Sequence, residues 1–141
     1  MVNDLTDGTA NKGYRILVVD DEEDLCEILK FNLETEGYTV ETANSAEEAL
    51  TLDIASFNLL LLDVMMGGMS GYSLAKKLKA APATAQIPII FLTARDSEND
   101  TITGFNIGAD DYISKPFSIR EVKRLFRVLR ATASTVQTQS L

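Results

Sequence analysis

Four apolar runs in this sequence each end in a residue able to do chemistry. Ile16-Leu17-Val18-Val19 runs into Asp20 and Asp21, and Leu59-Leu60-Leu61-Leu62 into Asp63. Pro88-Ile89-Ile90-Phe91-Leu92 runs into Thr93, and Tyr112-Ile113-Ser114 into Lys115. Brought to one place, the three carboxylates repel: a pair about 4 Å apart costs on the order of 4 kcal/mol at an effective dielectric near 20. A bound cation relieves that cost. Oxygen donors without any histidine or paired cysteine select Mg2+ or Mn2+ over Zn2+. Mg2+ held this way keeps waters, leaving positions open for a phosphoryl oxygen. Lys115 then offers a compact positive charge and Thr93 a hydroxyl donor to phosphoryl oxygens. An aspartate nucleophile, a divalent metal and a cation together describe in-line phosphoryl transfer to a carboxylate.

Taken singly, each residue has a plainer reading. Asp63 would start a turn, Asp20 and Asp21 would begin a helix, Thr93 would close a strand and Lys115 would be a solvated surface lysine. Their weight comes from joint placement, which the surrounding elements must supply. Arg15–Val19 reads as strand 1, and Leu25, Ile28, Leu29 and Leu33 repeat at helical spacing until Gly37, with Asp21 to Asp24 near the positive helix end. Tyr38–Ala43 alternates as strand 2, and Ser45-Ala46-Glu47-Glu48 opens helix 2 with a capping-box pattern. The leucine run before Asp63 predicts strand 3, buried on both faces, followed by the loop Gly67-Gly68-Met69-Ser70-Gly71. A helix from Ser70 to about Lys79 turns Leu74 and Leu78 inward and breaks at Ala80-Ala81-Pro82. Strand 4 is doubly buried and ends at Thr93.

A fourth helix is expected from Asp96 to Ile107. Thr101, Thr103, Asn106 and especially Gly104 weaken it by a few kcal/mol (~) against an alanine-rich equivalent, marking it as a candidate mobile element. Strand 5 is Tyr112–Ser114. Last, Val122, Leu125, Phe126 and Leu129 form an apolar stripe opposite Arg120, Lys123, Arg124, Arg127 and Arg130. Strands alternating with helices predict one α/β domain, a flavodoxin-like doubly wound five-stranded parallel sheet of order 2-1-3-4-5 with five helices. That order puts strands 1 and 3 at the switch point, where open α/β sheets bind ligands, and sets Asp20, Asp21 and Asp63 side by side. Residues 1–13 read as a disordered leader, 14–131 as the domain and 132–141 as a frayed tail.

Bulk properties narrow the function. The chain of 141 residues is long enough for one core, and its 45% hydrophobic content excludes a disordered chain. No apolar run approaches the roughly 18 to 20 residues of a membrane span, and the amino terminus lacks a secretory signal, so a cytoplasmic location is expected. Cys26 is the single cysteine and reads as a small packing residue. The absence of histidine removes His-based triads, His metal sites and a histidine phosphodonor role for this chain. A net charge of −8 argues against DNA contact by this domain.

The runs Val18-Val19-Asp20-Asp21-Glu22, Leu62-Asp63-Val64-Met65-Met66, Leu92-Thr93-Ala94-Arg95 and Gly108 to Ser118 resemble the receiver domain of two-component response regulators. The likeness spans about Arg15 to Arg130, closest to receivers fused to winged-helix DNA-binding domains. It implies Asp63 as phosphoacceptor, with Asp21 and Asp63 as direct metal ligands, Asp20 acting through water and the Met65 backbone carbonyl completing the protein's share. It implies Thr93 and Lys115 as the switch hydroxyl and the family's lysine, Tyr112 as the switch aromatic, and a cis bond between Lys115 and Pro116. A sensor histidine kinase, or a small phosphodonor, would supply the phosphoryl group, and the domain would catalyse its own phosphorylation and dephosphorylation. The expected whole is the regulatory part of a transcription regulator, with a stand-alone receiver acting through protein contacts as the alternative.

Departures from the family pattern carry weight too. Gly67 stands where the family commonly has proline, which frees the loop. The implied homodimer through helix 4, strand 5 and helix 5 loses its charged pairs: Thr101 stands opposite Glu121, Asn106 opposite Arg127 and Leu125 opposite Asp111. A Mg2+-dependent phosphohydrolase with an aspartate nucleophile is the rival from another class. Such enzymes typically carry a second acid two residues after the nucleophile, where this chain has Met65. A pseudo-receiver that never turns over phosphate would not need the intact acid and lysine set.

Overall fold

The computed structural model describes residues 13–94 and 107–128. Strands β1 (Arg15–Val19), β2 (Thr39–Ala43), β3 (Leu59–Asp63), β4 (Ile89–Thr93) and β5 (Asp111–Ser114) alternate with helices α1 (Glu23–Glu34), α2 (Ala46–Ala49) and α3 (Gly71–Ala80). A short 3-10 turn at Ile54–Ser56 precedes β3, and residues 119–128 are helical. All strand pairs are parallel, in the order β2-β1-β3-β4-β5, as the alternation predicts. Apart from Ile107, the expected helix from Asp96 to Ile107 lies outside the described residues, together with Thr101, Thr103, Gly104 and Asn106. So do residues 1–12 of the expected leader, Leu129, Arg130 and the expected tail.

Parallel pairing leaves both faces of the sheet to be covered, and the side-chain alternation sorts the core accordingly. On one face Leu17, Val19, Leu60, Leu62, Ile89 and Phe91 pack with Ala46 and Ala49 of α2 and with Leu74, Ala75 and Leu78 of α3. On the other, Ile16, Val18, Leu59, Leu61, Ile90, Leu92 and Ile113 pack with Cys26, Leu29 and Leu33 of α1 and with Val122 and Phe126. Every residue of β3 and β4 is buried. Each buried leucine side chain stabilises by about 1.5–3 kcal/mol, so the rim residues stand on a stiff platform.

Local chemistry sets the element ends. Ser45 caps α2 by accepting from the Glu48 N–H, while Glu48 reaches back to the Asn44 N–H at 2.6 Å, a capping box displaced by one residue. That helix then tightens, because the Thr51 and Leu52 amides bond to carbonyls three residues back. Gly37 ends the turn after α1 with φ 97°, a conformation that glycine takes without a Cβ clash. Ala81 is extended because Pro82 follows it, which stops α3. One sequence expectation needs correcting. Ile28 is half exposed, and Cys26 takes its place against the sheet, because the α1 stripe runs through Cys26, Leu29 and Leu33 with Leu25 at its margin.

Gly71 is where helix and strand end come closest. Its N–H donates to the Val64 carbonyl at 3.0 Å, and an added Cβ would overlap the Asp63 carbonyl oxygen. Gly67, by contrast, has open space where a Cβ would be. Gly71→Ala is therefore expected to lower the free energy of unfolding in urea by about 1–3 kcal/mol. Gly67→Ala in the same assay is expected to be neutral or to stabilise by about 0.4–1 kcal/mol through the unfolded chain.

Candidate functional site

Asp63 closes β3, and Asp20 follows β1, its N–H held by the Ala43 carbonyl at 3.0 Å. Because β1 and β3 are neighbours with Val19 opposite Leu62, Asp20 and Asp63 emerge side by side. Carboxylate oxygens of Asp20, Asp21 and Asp63 all lie within 4.8 Å of one another. Asp20 and Asp63 are buried, at 0% and 4% exposure, whereas Asp21 faces solvent. A bed of hydrogen bonds fixes Asp20. Its Oδ1 accepts from the Glu22 N–H at 2.9 Å, and its carbonyl from Asn44 Nδ2 at 3.2 Å and the Cys26 thiol at 3.3 Å.

Lys115 reaches in from the end of β5, where its N–H bonds to the Thr93 carbonyl at 2.7 Å. Its Nζ donates to Asp20 Oδ2 at 2.9 Å, Glu22 Oε1 at 3.1 Å and Asp63 Oδ1 at 3.4 Å. The peptide bond to Pro116 is cis. Thr93 is buried at the end of β4, one residue beyond the Asp63 to Leu92 register pair. Tyr112 lies one strand further out, paired with Phe91. Its ring centroid is 5.6 Å from that of Phe91, and its hydroxyl lies 3.3 Å from the Tyr72 hydroxyl. Met65, two residues beyond Asp63, has its side chain exposed.

The electrostatics of this cluster are unbalanced. Among the described residues, one lysine faces four carboxylates, counting Glu22. Burial first, and then the neighbouring Asp20 charge, push the Asp63 carboxyl up to about 6, with Lys115 pulling against them. Burial pulls the Lys115 ammonium down, but the Asp20 hydrogen bond and the Asp20 and Asp63 charges outweigh it and move it up overall. Burial also raises the Cys26 thiol to about 11, so this cysteine is a packing residue. Three converging carboxylates, two of them shielded from water, make an oxygen-only donor set that fits a hard divalent cation such as Mg2+.

All four strand ends singled out in the sequence meet at this rim. Sequence reasoning missed Glu22, whose signal was its place directly after the Asp pair. It also missed Tyr72, which packs its ring 4.8 Å from Phe91, and Glu47, which no local pattern tied to the loop beyond Asp63. On the far side, Arg127 bonds to Glu36 of its own chain at 2.6 Å and Lys123 lies 3.5 Å from the same carboxylate, holding Glu36 below its usual range.

A doubly wound parallel sheet carrying acids and a lysine at its carboxyl edge defines a flavodoxin-like domain whose rim gathers a donor set that fits a divalent cation. The chain belongs to the response regulator receiver domain family, whose pattern matches residues 16–127. It is 46% identical over 107 residues to the response regulator SaeR of Staphylococcus epidermidis, covering 76% of this chain and 46% of that protein. It is 46% identical over 127 residues to the transcriptional regulatory protein CpxR of Escherichia coli, covering 89% of this chain and 53% of that one. The chain thus spans about half the length of these curated relatives. Among solved structures it resembles the response regulator TrrA of Thermotoga maritima in complex with Mg2+ and BeF, with a TM-score of 0.72 and 36% identity over 82% of this chain and 98% of that one. No helix among the described residues is long and apolar enough to cross a membrane.

The raised Asp63 carboxyl gives a pH signature. Its folded-state value of about 6 lies above the 3.8 of a free aspartate side chain, so the folded form holds the proton more tightly. Stability from this group is complete below about pH 4 and lost as pH rises through about 6. Asp63→Asn should therefore stabilise the metal-free protein at pH 7.5 by about 2 kcal/mol, a gain that vanishes near pH 4 in urea titrations. A divalent cation held by these carboxylates would compete with the same proton, so Mg2+ affinity should fall as pH drops from about 7 to about 5, as read by calorimetry.

Proposed function

We propose that this domain is a phosphorylation-dependent switch in which Asp63 accepts a phosphoryl group. The observation that carries the reading is the buried Asp63 carboxylate with Lys115 Nζ 3.4 Å away and two further carboxylates gathered beside it. An Asp63 oxygen attacks phosphorus in line, the new O–P bond forms as the donor's bond to phosphorus breaks, and the donor leaves with that electron pair. Asp21 and Asp63 would hold the divalent cation directly, Asp20 through water, and the Met65 carbonyl would complete the set. The cation would supply charge neutralisation for the transferring group. Lys115, freed in part from Asp20, pairs with a phosphoryl oxygen, and Thr93 donates its hydroxyl to another. In the reverse sense water attacks the same phosphorus in line, its O–P bond forming as the Asp63 O–P bond breaks, and inorganic phosphate leaves while Asp63 keeps the electron pair, so the domain catalyses its own phosphorylation and dephosphorylation. The phosphoryl oxygens carry roughly two negative charges in place of the carboxylate's one, which draw Thr93 and Lys115 inward and turn Tyr112 inward.

A sensor histidine kinase is the proposed donor. A cleft of about 460 Å³ opens beside the rim, lined by Leu25, Ile28, Phe117 and Ile119 with Lys115 and Glu22 at its polar end. Ile28 and Phe31 project from α1 next to it, 50% and 68% exposed, which suits an apolar helix of a partner presenting its phosphoryl group at Asp63. The relation to CpxR and SaeR supports a place in a longer transcription regulator, with DNA contact made elsewhere in that protein. The charge-paired dimer is not part of this reading, because Arg127 is already paired with Glu36 and Leu125 packs against the core.

Acetyl phosphate with Mg2+ is expected to add one phosphoryl mass to the parent and none to Asp63→Asn, and beryllofluoride to produce a stable spectral change only in the parent. No response in the parent would overturn the switch reading, and multiple turnover on a phosphoester would favour the hydrolase. Ile28→Glu should slow transfer from a cognate kinase about tenfold or more while leaving acetyl phosphate kinetics unchanged. That loss corresponds to about 1.4 kcal/mol of docking energy.

A further inference from the structure

The loop between β3 and α3 carries two adjacent glycines, and its fastening comes from a residue outside the rim. At its ends, the Val64 N–H donates to Leu92 at 2.9 Å, and Ser70 caps α3 through the Ser73 N–H at 3.1 Å. Between those anchors Gly67 stands in open space, and Gly68 takes a left-handed φ of 77°. Two glycines in sequence give this stretch the largest backbone freedom to lose when a ligand orders it. Glu47 Oε2 accepts from the Met69 N–H at 3.1 Å, and a Cβ on Gly68 would come within 2.9 Å of the same oxygen, so the carboxylate lies directly against the loop.

The root of Glu47 is firm. It sits in α2 between Ala46 and Ala49, both fully buried, under the caps made by Ser45 and Glu48. Asn44, at the head of the same helix, bonds to the Asp20 carbonyl at 3.2 Å. Residues 44–47 thus touch both rim loops, the one after β1 and the one after β3.

We propose that Glu47 is a positioning residue for the rim: its bond to the Met69 amide holds the glycine-rich loop in the conformation that receives the divalent cation. The proposal rests on the metal reading of the rim given above. Ordering the loop in advance removes an entropic cost that the ligand would otherwise meet on binding. The residue itself touches neither metal nor phosphoryl group.

The test uses the full chain in four forms: parent, Glu47→Ala, Glu47→Gln, and Glu47→Ala combined with Gly67→Ala. Amide exchange at Met69 is followed by NMR without metal, and Mg2+ affinity is measured by calorimetry. Glu47→Ala should speed exchange at Met69 and weaken Mg2+ binding about 3- to 10-fold, the worth of one hydrogen bond. Glu47→Gln keeps an acceptor oxygen and should stay close to the parent in both. Gly67→Ala should restore part of the lost affinity by stiffening the loop without replacing the bond. Unchanged exchange in Glu47→Ala would overturn the brace. Faster exchange with unchanged affinity would overturn its positioning role, and equal losses in Glu47→Gln and Glu47→Ala would assign the effect to charge instead. A parent that does not bind Mg2+ overturns the metal reading of the rim, and the positioning role with it, whatever exchange shows.

Discussion

Repulsion among like charges held at one sheet edge governs this domain. Two adjacent parallel strands end in Asp20 and Asp63, and the register of β1 on β3 leaves their carboxylates no way to separate. Lys115 offsets part of the repulsion from a third strand end, at 2.9 Å from Asp20 and 3.4 Å from Asp63. Burial first, and then the remaining repulsion from Asp20, raise the Asp63 carboxyl to about 6. Such a site costs stability in the resting protein, and the fully buried strands of β3 and β4 supply the margin that tolerates it. The same unrelieved charge, on an oxygen-only donor set, fits the rim to a divalent cation.

Effects at the rim have two directions in which to travel, because the sheet is covered on both faces. On the α3 face, Tyr72, Phe91 and Tyr112 form a line of rings two residues below Thr93 on β4, ending in the contact between the two tyrosine hydroxyls. On the α1 face, Cys26 and Leu25 lie beneath the acid cluster, and the cleft beside Phe117 opens from Lys115. An arriving partner and an outgoing conformational change can thus use opposite faces of one sheet. The glycine-rich loop and Glu47 belong to the α3 side, which sets the loop's order apart from whatever docks on α1.

Sequence reading reached most of this because the signals are strong ones. An apolar run without alternation, bounded by polar residues and repeated for strands 1, 3 and 4, has few explanations other than a doubly covered parallel strand. The short α2 was legible from its cap, since Ser45 and Glu48 satisfy amides that lie within four residues. Ile28 was misread because helical spacing admits neighbouring stripes, and a small, buried Cys26 competes poorly with isoleucine on any hydrophobicity count. Nothing local marks Glu47 or Tyr72, whose partners lie 22 and 40 residues away in the chain.

The sequence by itself determined the elements, the strand ends and the chemical types gathered there, because burial period, caps and turn residues act over a few neighbouring positions. It also determined which chemistry was excluded, since a chain without histidine and with a lone cysteine lacks the donors for it. Only the tertiary structure decided how the charges at Asp63 balance, which carboxylates share Lys115, and that Gly71 must stay bare beneath the Asp63 carbonyl. Those outcomes depend on distances between residues far apart in the chain. Coulomb energy, desolvation and steric overlap all vary steeply over an ångström or two, a scale that residue type and spacing do not resolve.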